Sequence, residues 1–178
     1  MKLRLAYDLT RREIEEYVKE YEQSWDEKDR EVFEKMHKAL RKDFLTGMGL
    51  YEIARWKTIR ASKRVKSNLD RVVREITKLA LKMSDEKYKI RILTSLEGIG
   101  IPRASAILAM QNPKKYGVID VNAWFALTGR RKQGFNTENW IWYLKEIRRL
   151  ARKHGKTPRQ IDMALMKYGQ RLQSKASR

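Results

Sequence analysis

Ile90-Arg-Ile-Leu-Thr-Ser-Leu-Glu-Gly-Ile-Gly-Ile-Pro-Arg-Ala-Ser-Ala-Ile-Leu-Ala-Met110 sets two apolar helical stretches on either side of a Gly98-Ile99-Gly100 turn. Glycine reaches positive φ without strain and leaves the backbone open to close approach. Pro102 has no amide to lose and suits the first turn of the second helix. Ile99, between the glycines, is expected to anchor the turn in the core. A helix N-terminus behind a glycine-rich turn gathers amide donors and the positive end of the helix dipole, which suits a DNA phosphate. Gly98, Ile99, Gly100, Ile101 and Ala104 are therefore expected along a DNA backbone, with Arg103 and Ser105 adding contacts to the same phosphates. The plain alternative is an ordinary helix–turn–helix corner.

Helical periodicity extends from this segment in both directions, and strand alternation is almost absent. Upstream, Leu69, Val72, Val73, Ile76, Leu79, Ala80 and Met83 follow the spacing of one buried helical face running from Ser67, and Ser84-Asp85 opens the next helix, ending near Leu96. Thr10-Arg-Arg-Glu13 is a capping box for a helix reaching about Trp25. A second helix is expected from Asp26 to Phe44, stopped by Thr46-Gly47-Met48-Gly49, and residues 50–57 make a short helical turn. Downstream, Gly155 closes one helix and Thr157-Pro158-Arg-Gln160 opens another, a basic C-terminal helix over 157–178 that frays after about Gln170. The expectation is an all-α, two-lobed bundle of nine to eleven helices, one domain over 1–178.

Composition narrows the function. The 178 residues hold 41 Lys or Arg against 22 Asp or Glu, a formal net charge of +19. Eleven of the 22 acids lie in the first 36 residues beside 8 basic ones, so residues 37–178 carry 33 basic and 11 acidic side chains, a net of +22. Such a surface attracts polyanions, and double-stranded DNA is the expected partner. There is no cysteine, which excludes a disulfide scaffold, an iron–sulfur cluster and a thiol nucleophile, and the two histidines, His37 and His154, are too far apart in sequence to suggest a metal site. Apolar runs reach about five residues, far short of the roughly 20 that span a bilayer. A cytoplasmic, nucleoid-associated monomer without membrane contact is expected.

Downstream of the turn stands Val118-Ile-Asp-Val-Asn122, with Asp120 eighteen residues after Pro102. Together with Leu96-Glu-Gly-Ile-Gly100 this resembles the helix–hairpin–helix DNA glycosylases of the endonuclease III superfamily over about residues 90–128. Their signature pairs a Leu-Pro-Gly-Val-Gly-type hairpin with a catalytic aspartate at that spacing. The resemblance implies DNA repair by base excision, with Asp120 as the catalytic carboxylate. It also implies a monovalent cation held by the hairpin carbonyls of Thr94, Leu96 and Ile99, and otherwise no cofactor or metal. Two features depart from the pattern. Pro102 occupies the position of the lysine that lyase-competent members use, and the four-cysteine cluster loop is missing.

Breaking an N-glycosidic bond builds positive charge on the sugar, and a fixed carboxylate at Asp120 stabilises it or orients the attacking water. The plain alternative for Asp120 is a helix cap. Reaching that bond takes the base out of the stack, to rest against aromatic rings, for which Trp124 and Trp56 are candidates. Residues 55–66 hold six basic side chains and no acid, so Arg60 and Lys63 are expected on DNA, with Arg130 and Arg131 on a second loop. Lys57, beside Trp56, is the candidate nucleophile if the enzyme also cleaves abasic sites. Three functions stay open: a hydrolytic glycosylase, a glycosylase with abasic-site lyase activity or such a lyase alone, and a non-catalytic helix–hairpin–helix DNA-binding module.

Overall fold

In the computed structural model, which describes residues 4–59 and 62–176, helix starts are written by short polar side chains. Thr10, Asp26, Thr46, Asp85, Asp120 and Asn136 each precede a helix and accept a hydrogen bond from its third amide. The helices are α1 (Arg11–Gln23), α2 (Glu27–Leu40), α3 (Gly47–Lys57), α4 (Asp70–Lys82), α5 (Glu86–Thr94), α6 (Ile101–Gln111), α7 (Val121–Thr128), α8 (Thr137–His154) and α9 (Pro158–Ala176). Short 3-10 turns add Ala6–Asp8 and Ser62–Ser67, and the described residues contain no strand. The all-α expectation of nine to eleven helices is met. No helix among the described residues is long and apolar enough to cross a membrane.

Several boundaries differ from expectation. The second helix stops at Leu40 rather than Phe44, and Asp43 turns the chain with φ of 61°. Thr46 caps the Gly49 amide, so the glycines expected to end α2 open α3 instead, which is eleven residues long. The helix expected from Ser67 starts at Asp70 behind the 3-10 turn. Its buried face is Val73, Thr77, Ala80 and Leu81, while Leu69 and Leu79 are exposed. Thr77 can replace an apolar residue there because its hydroxyl donates to Val73 O and accepts from Leu45 N. The C-terminal helix continues to Ala176 without the fraying expected after Gln170, tied to α1 by Arg171 and Glu20 at 2.6 Å.

The contacts sort the helices into two groups. In the first, α2 packs on α3 and α6, and α3 through α6 pack in succession. In the second, α9 packs on α1, α7 and α8, so the first helix of the chain joins the last three. Helices α5 and α8 bridge the groups, locked by Arg148 donating to both carboxylate oxygens of Glu86 at 2.6 and 2.8 Å. The Asp120 segment crosses from α6 in the first group to α7 in the second, and the site lies at that crossing.

Candidate active site at the helical seam

The hairpin forms with one of its two glycines at positive φ, and Gly100 is extended, with φ of −86°. Gly98 has φ of 75°, and Ile99 is 4% exposed beneath it. A β-carbon at Gly98 would lie 3.0 Å from Val65 Cγ2 and 3.1 Å from Val65 N, so the 3-10 turn carrying Lys63 packs directly behind the hairpin. Asn68 braces the turn from the same side, donating to Glu97 O at 2.9 Å and accepting from Glu97 N at 2.8 Å. Gly100 is exposed at the start of α6, whereas Ile101 and Ala104 are buried in its core-facing side.

Arg103 and Ser105 do not point outward as expected. Arg103 is 8% exposed and donates to Gly98 O at 2.7 Å and Thr58 O at 3.1 Å, tying the hairpin to the end of α3. Ser105 is fully buried, donates to Pro102 O and accepts from Ile119 N at 3.1 Å. Both sit on the face of α6 that packs inward, where Arg103 braces the hairpin and Ser105 holds the segment before Asp120. Lys63, Arg130 and Arg131 are exposed, and Arg60 lies outside the described residues.

Asp120 is the N-cap of α7 and also a wall of a cavity. Its Oδ1 accepts from Ala123 N at 2.8 Å, and its Oδ2 stands 3.7 Å from Lys57 Nζ at the end of α3. Both side chains are mostly shielded, 17% and 16% exposed. The cavity, about 230 Å³, is lined by Tyr21, Ser24, Trp25, Asp29, Trp56, Lys57, Val118, Asp120, Arg159, Asp162 and Met166. Trp56, one of the two candidate rings, is part of that lining. Trp124 does not line the cavity: it packs on Trp142 and Phe135 at ring distances of 5.0 and 5.5 Å, with Lys132 over its face. On α7 it lies four residues past Asp120, on a side that meets α8 instead.

The opposite wall comes from both ends of the chain, and sequence reasoning missed it. The Arg159 guanidinium is surrounded by the rings of Tyr21, Trp25, Phe33 and Trp56, at 5.2 to 5.7 Å from their centroids. It pairs with Asp162 one turn along α9 and donates to Tyr21 Oη at 3.2 Å. Burial pushes the Asp162 carboxyl up to about 7 against the pull of Arg159. Burial also raises Asp29 and drives the Tyr143 phenol well above its ordinary value. One signal was present in the sequence. Glu146 and Asp162 are the only acids among the last 34 residues, which hold eleven Lys or Arg. An acid so outnumbered invites the question of what it neutralises.

The site therefore combines a carboxylate and an amine at one edge with indole and phenol rings and a buried ion pair behind them. It can accept a flat, partly polar group against the rings and set it beside Asp120 and Lys57. Among the described residues, no cluster of histidines and acids has the makings of a metal site. Compared with protein-family models, curated proteins and solved structures, this chain matches none of them.

Proposed function

We propose that this protein is a DNA glycosylase that takes a base out of the duplex and hydrolyses its bond to deoxyribose. The observation that carries the proposal is the placement of Asp120 Oδ2 at the rim of an aromatic-walled cavity, at the end of a segment bonded to the hairpin helix. In the reaction, water adds its oxygen to C1′ of the sugar. The C1′–N bond breaks with its electron pair going to the base, and the proton lost by water balances the one the base acquires. Asp120 stabilises the sugar cation or orients the water, in a setting where most solvent is excluded. Trp25 and Trp56 supply the faces against which an extruded base rests. The basic surface and the backbone of Gly98–Gly100 hold the flanking phosphates.

The carbonyls around the hairpin suit a monovalent cation. Thr94 is the last residue of α5, so its carbonyl lies past the intrahelical ladder, and Leu96 O spends one lone pair on Ile99 N at 3.1 Å. Such an ion would brace the turn and take no part in the bond cleavage.

A second reading is favoured by one distance. Lys57 Nζ, 3.7 Å from Asp120, is an amine within the same cavity although the hairpin lysine is replaced by Pro102. Deprotonated, it would condense with the C1′ aldehyde of an abasic site, releasing water and leaving an imine. Loss of a C2′ proton would then expel the 3′ phosphate.

The test is strand scission on duplexes each carrying one lesion, mismatch or abasic site, with and without hot alkali, beside Asp120→Asn. Product only after alkali, lost in the variant, is the expected result. Scission without alkali, with a borohydride-trapped adduct lost in Lys57→Met, selects the lyase. Tight binding without product on any substrate leaves a DNA-binding module and refutes the enzyme.

A further inference from the structure

The cavity places Asp120, but Asp120 is only as well placed as the irregular segment that delivers it. Residues 112–120 link α6 to α7 without a helix or strand of their own. Yet three of the four backbone polar groups of Val118 and Ile119, just before Asp120, are bonded by side chains from three different helices. Asp162 of α9 accepts from Val118 N at 2.8 Å. Tyr143 of α8 donates to Val118 O at 3.1 Å. Ser105 of α6 accepts from Ile119 N at 3.1 Å. Val118 and Ile119 are buried, so none of these backbone groups has water as a substitute.

We propose that Asp162 is a positioning residue for Asp120: with Tyr143 and Ser105 it clamps the Val118–Ile119 backbone, and so fixes where the carboxylate meets the substrate. The proposal rests on the glycosylase reading above. Three observations make Asp162 the centre of the clamp. It is the member that touches both the segment and the cavity. Its approach is built into the neighbouring residue, because a β-carbon at Gly117 would lie 2.7 Å from Asp162 Oδ2. Its other oxygen is held by Arg159, whose guanidinium is fixed among four rings. The aromatic wall that would receive a base and the backbone that carries the carboxylate are therefore registered to each other through one ion pair. A misplacement of about 1 Å at a reacting group costs on the order of a hundredfold in rate, so such registration has a use beyond stability.

Asp162→Asn tests this with little change of shape. An amide has one acceptor oxygen, so it can satisfy Arg159 or Val118 N but not both. Two quantities separate positioning from general loosening. The Ala123 amide is held by Asp120 Oδ1, so its hydrogen exchange reports whether Asp120 keeps its place, while Ala80 in α4 reports the fold. We expect Ala123 exchange to quicken about tenfold with Ala80 unchanged, and single-turnover base release to slow about tenfold. Affinity for the same duplex should stay within about twofold, since the phosphate contacts are untouched. Wild-type values of exchange and release would overturn the proposal. So would Ala123 and Ala80 changing together, which marks a purely structural role. If Asp162→Asn does not fold, Tyr143→Phe removes a single hydroxyl and carries the same expectations at about threefold. Absence of base release by the wild-type protein on every duplex would sink the glycosylase reading, and Ala123 exchange would still decide the positioning.

Discussion

A β-carbon on Gly169 of α9 would sit 2.0 Å from the carbonyl oxygen of Asn122 in α7. The two helices cross there with only a hydrogen between their backbones, and Gln173, one turn on, donates to the Asn122 side chain at 2.8 Å. Because Asp120 caps α7, this crossing also sets the height of the cavity wall. Gly169→Ala must push the helices apart, and overpacking of this kind costs about 1–3 kcal/mol. Thermal unfolding of the variant is expected to show that loss, and an unchanged melting temperature would refute the close crossing.

Asp120 has two roles that one pair of substitutions separates. Asparagine caps a helix about as well as aspartate, whereas alanine at a cap costs roughly 1 kcal/mol. Asp120→Asn should therefore melt with the wild type and Asp120→Ala below it, while both lose base release. Retained release in Asp120→Asn would show that capping is all the residue does.

Asn68 should matter to DNA binding without touching DNA. Its side chain makes two hydrogen bonds to the Glu97 backbone, and Asn68→Ala leaves both peptide groups without that partner. A loss of about 1–3 kcal/mol in stability is expected, with weaker duplex binding because the hairpin is no longer braced. Unaltered affinity would mean that phosphate binding does not depend on the hairpin's shape.

The exposed cations act differently. Lys63→Ala, Arg130→Ala and Arg131→Ala should each weaken binding to lesion-bearing and undamaged duplexes alike. Each should also lower the salt dependence of log K by about one unit for every phosphate the side chain had neutralised. A titration against salt concentration checks this, and an unchanged slope removes that side chain from the interface.

Acid should loosen the N-terminal helix. Glu13 takes both amines of Arg4, at 2.6 and 2.9 Å, and the Thr10 amide at 2.7 Å. These bonds hold its carboxyl down at about 2, against an ordinary value of 4.5. A carboxyl depressed in the folded state contributes stability above its unfolded pKa and loses it as pH falls through the folded one. The contribution of Glu13 is thus whole above pH 4.5 and gone near 2. Glu13→Gln should remove that part of the acid dependence and lower stability by the same amount throughout the neutral-to-alkaline range, as followed by circular dichroism.

Local rules carried the reading of the sequence far, because caps and hairpins are written in neighbouring residues. Thr10, Thr157 and Gly155 act where they were expected, and the hairpin glycine Gly98 takes its positive φ. Asp120 at a helix start beside the core was legible too. The wall facing it was not, since Tyr21, Trp25 and Arg159 meet only through packing of the first and last helices. Charge type alone also could not tell an outward cation from an inward one. Arg103 looks like a phosphate ligand in sequence and is a brace between two carbonyls in the fold. Trp124 stands away from the Asp120 cavity for a related reason, because helical spacing names a face but not its neighbour.

The meeting of α1 and α9 at the cavity has a consequence for how the protein is made. A growing chain orders its N-terminal parts first. Once it has emerged past Asp120 it already holds the hairpin, Lys57 and the carboxylate, but not Arg159, Asp162 or Met166. Those three belong to the last helix, as does Tyr168, whose hydroxyl donates to Arg4 O at 2.7 Å and joins the two ends. The unfinished polypeptide carries the hairpin and Asp120 before the cavity has its full lining, which is completed only once α9 has been made.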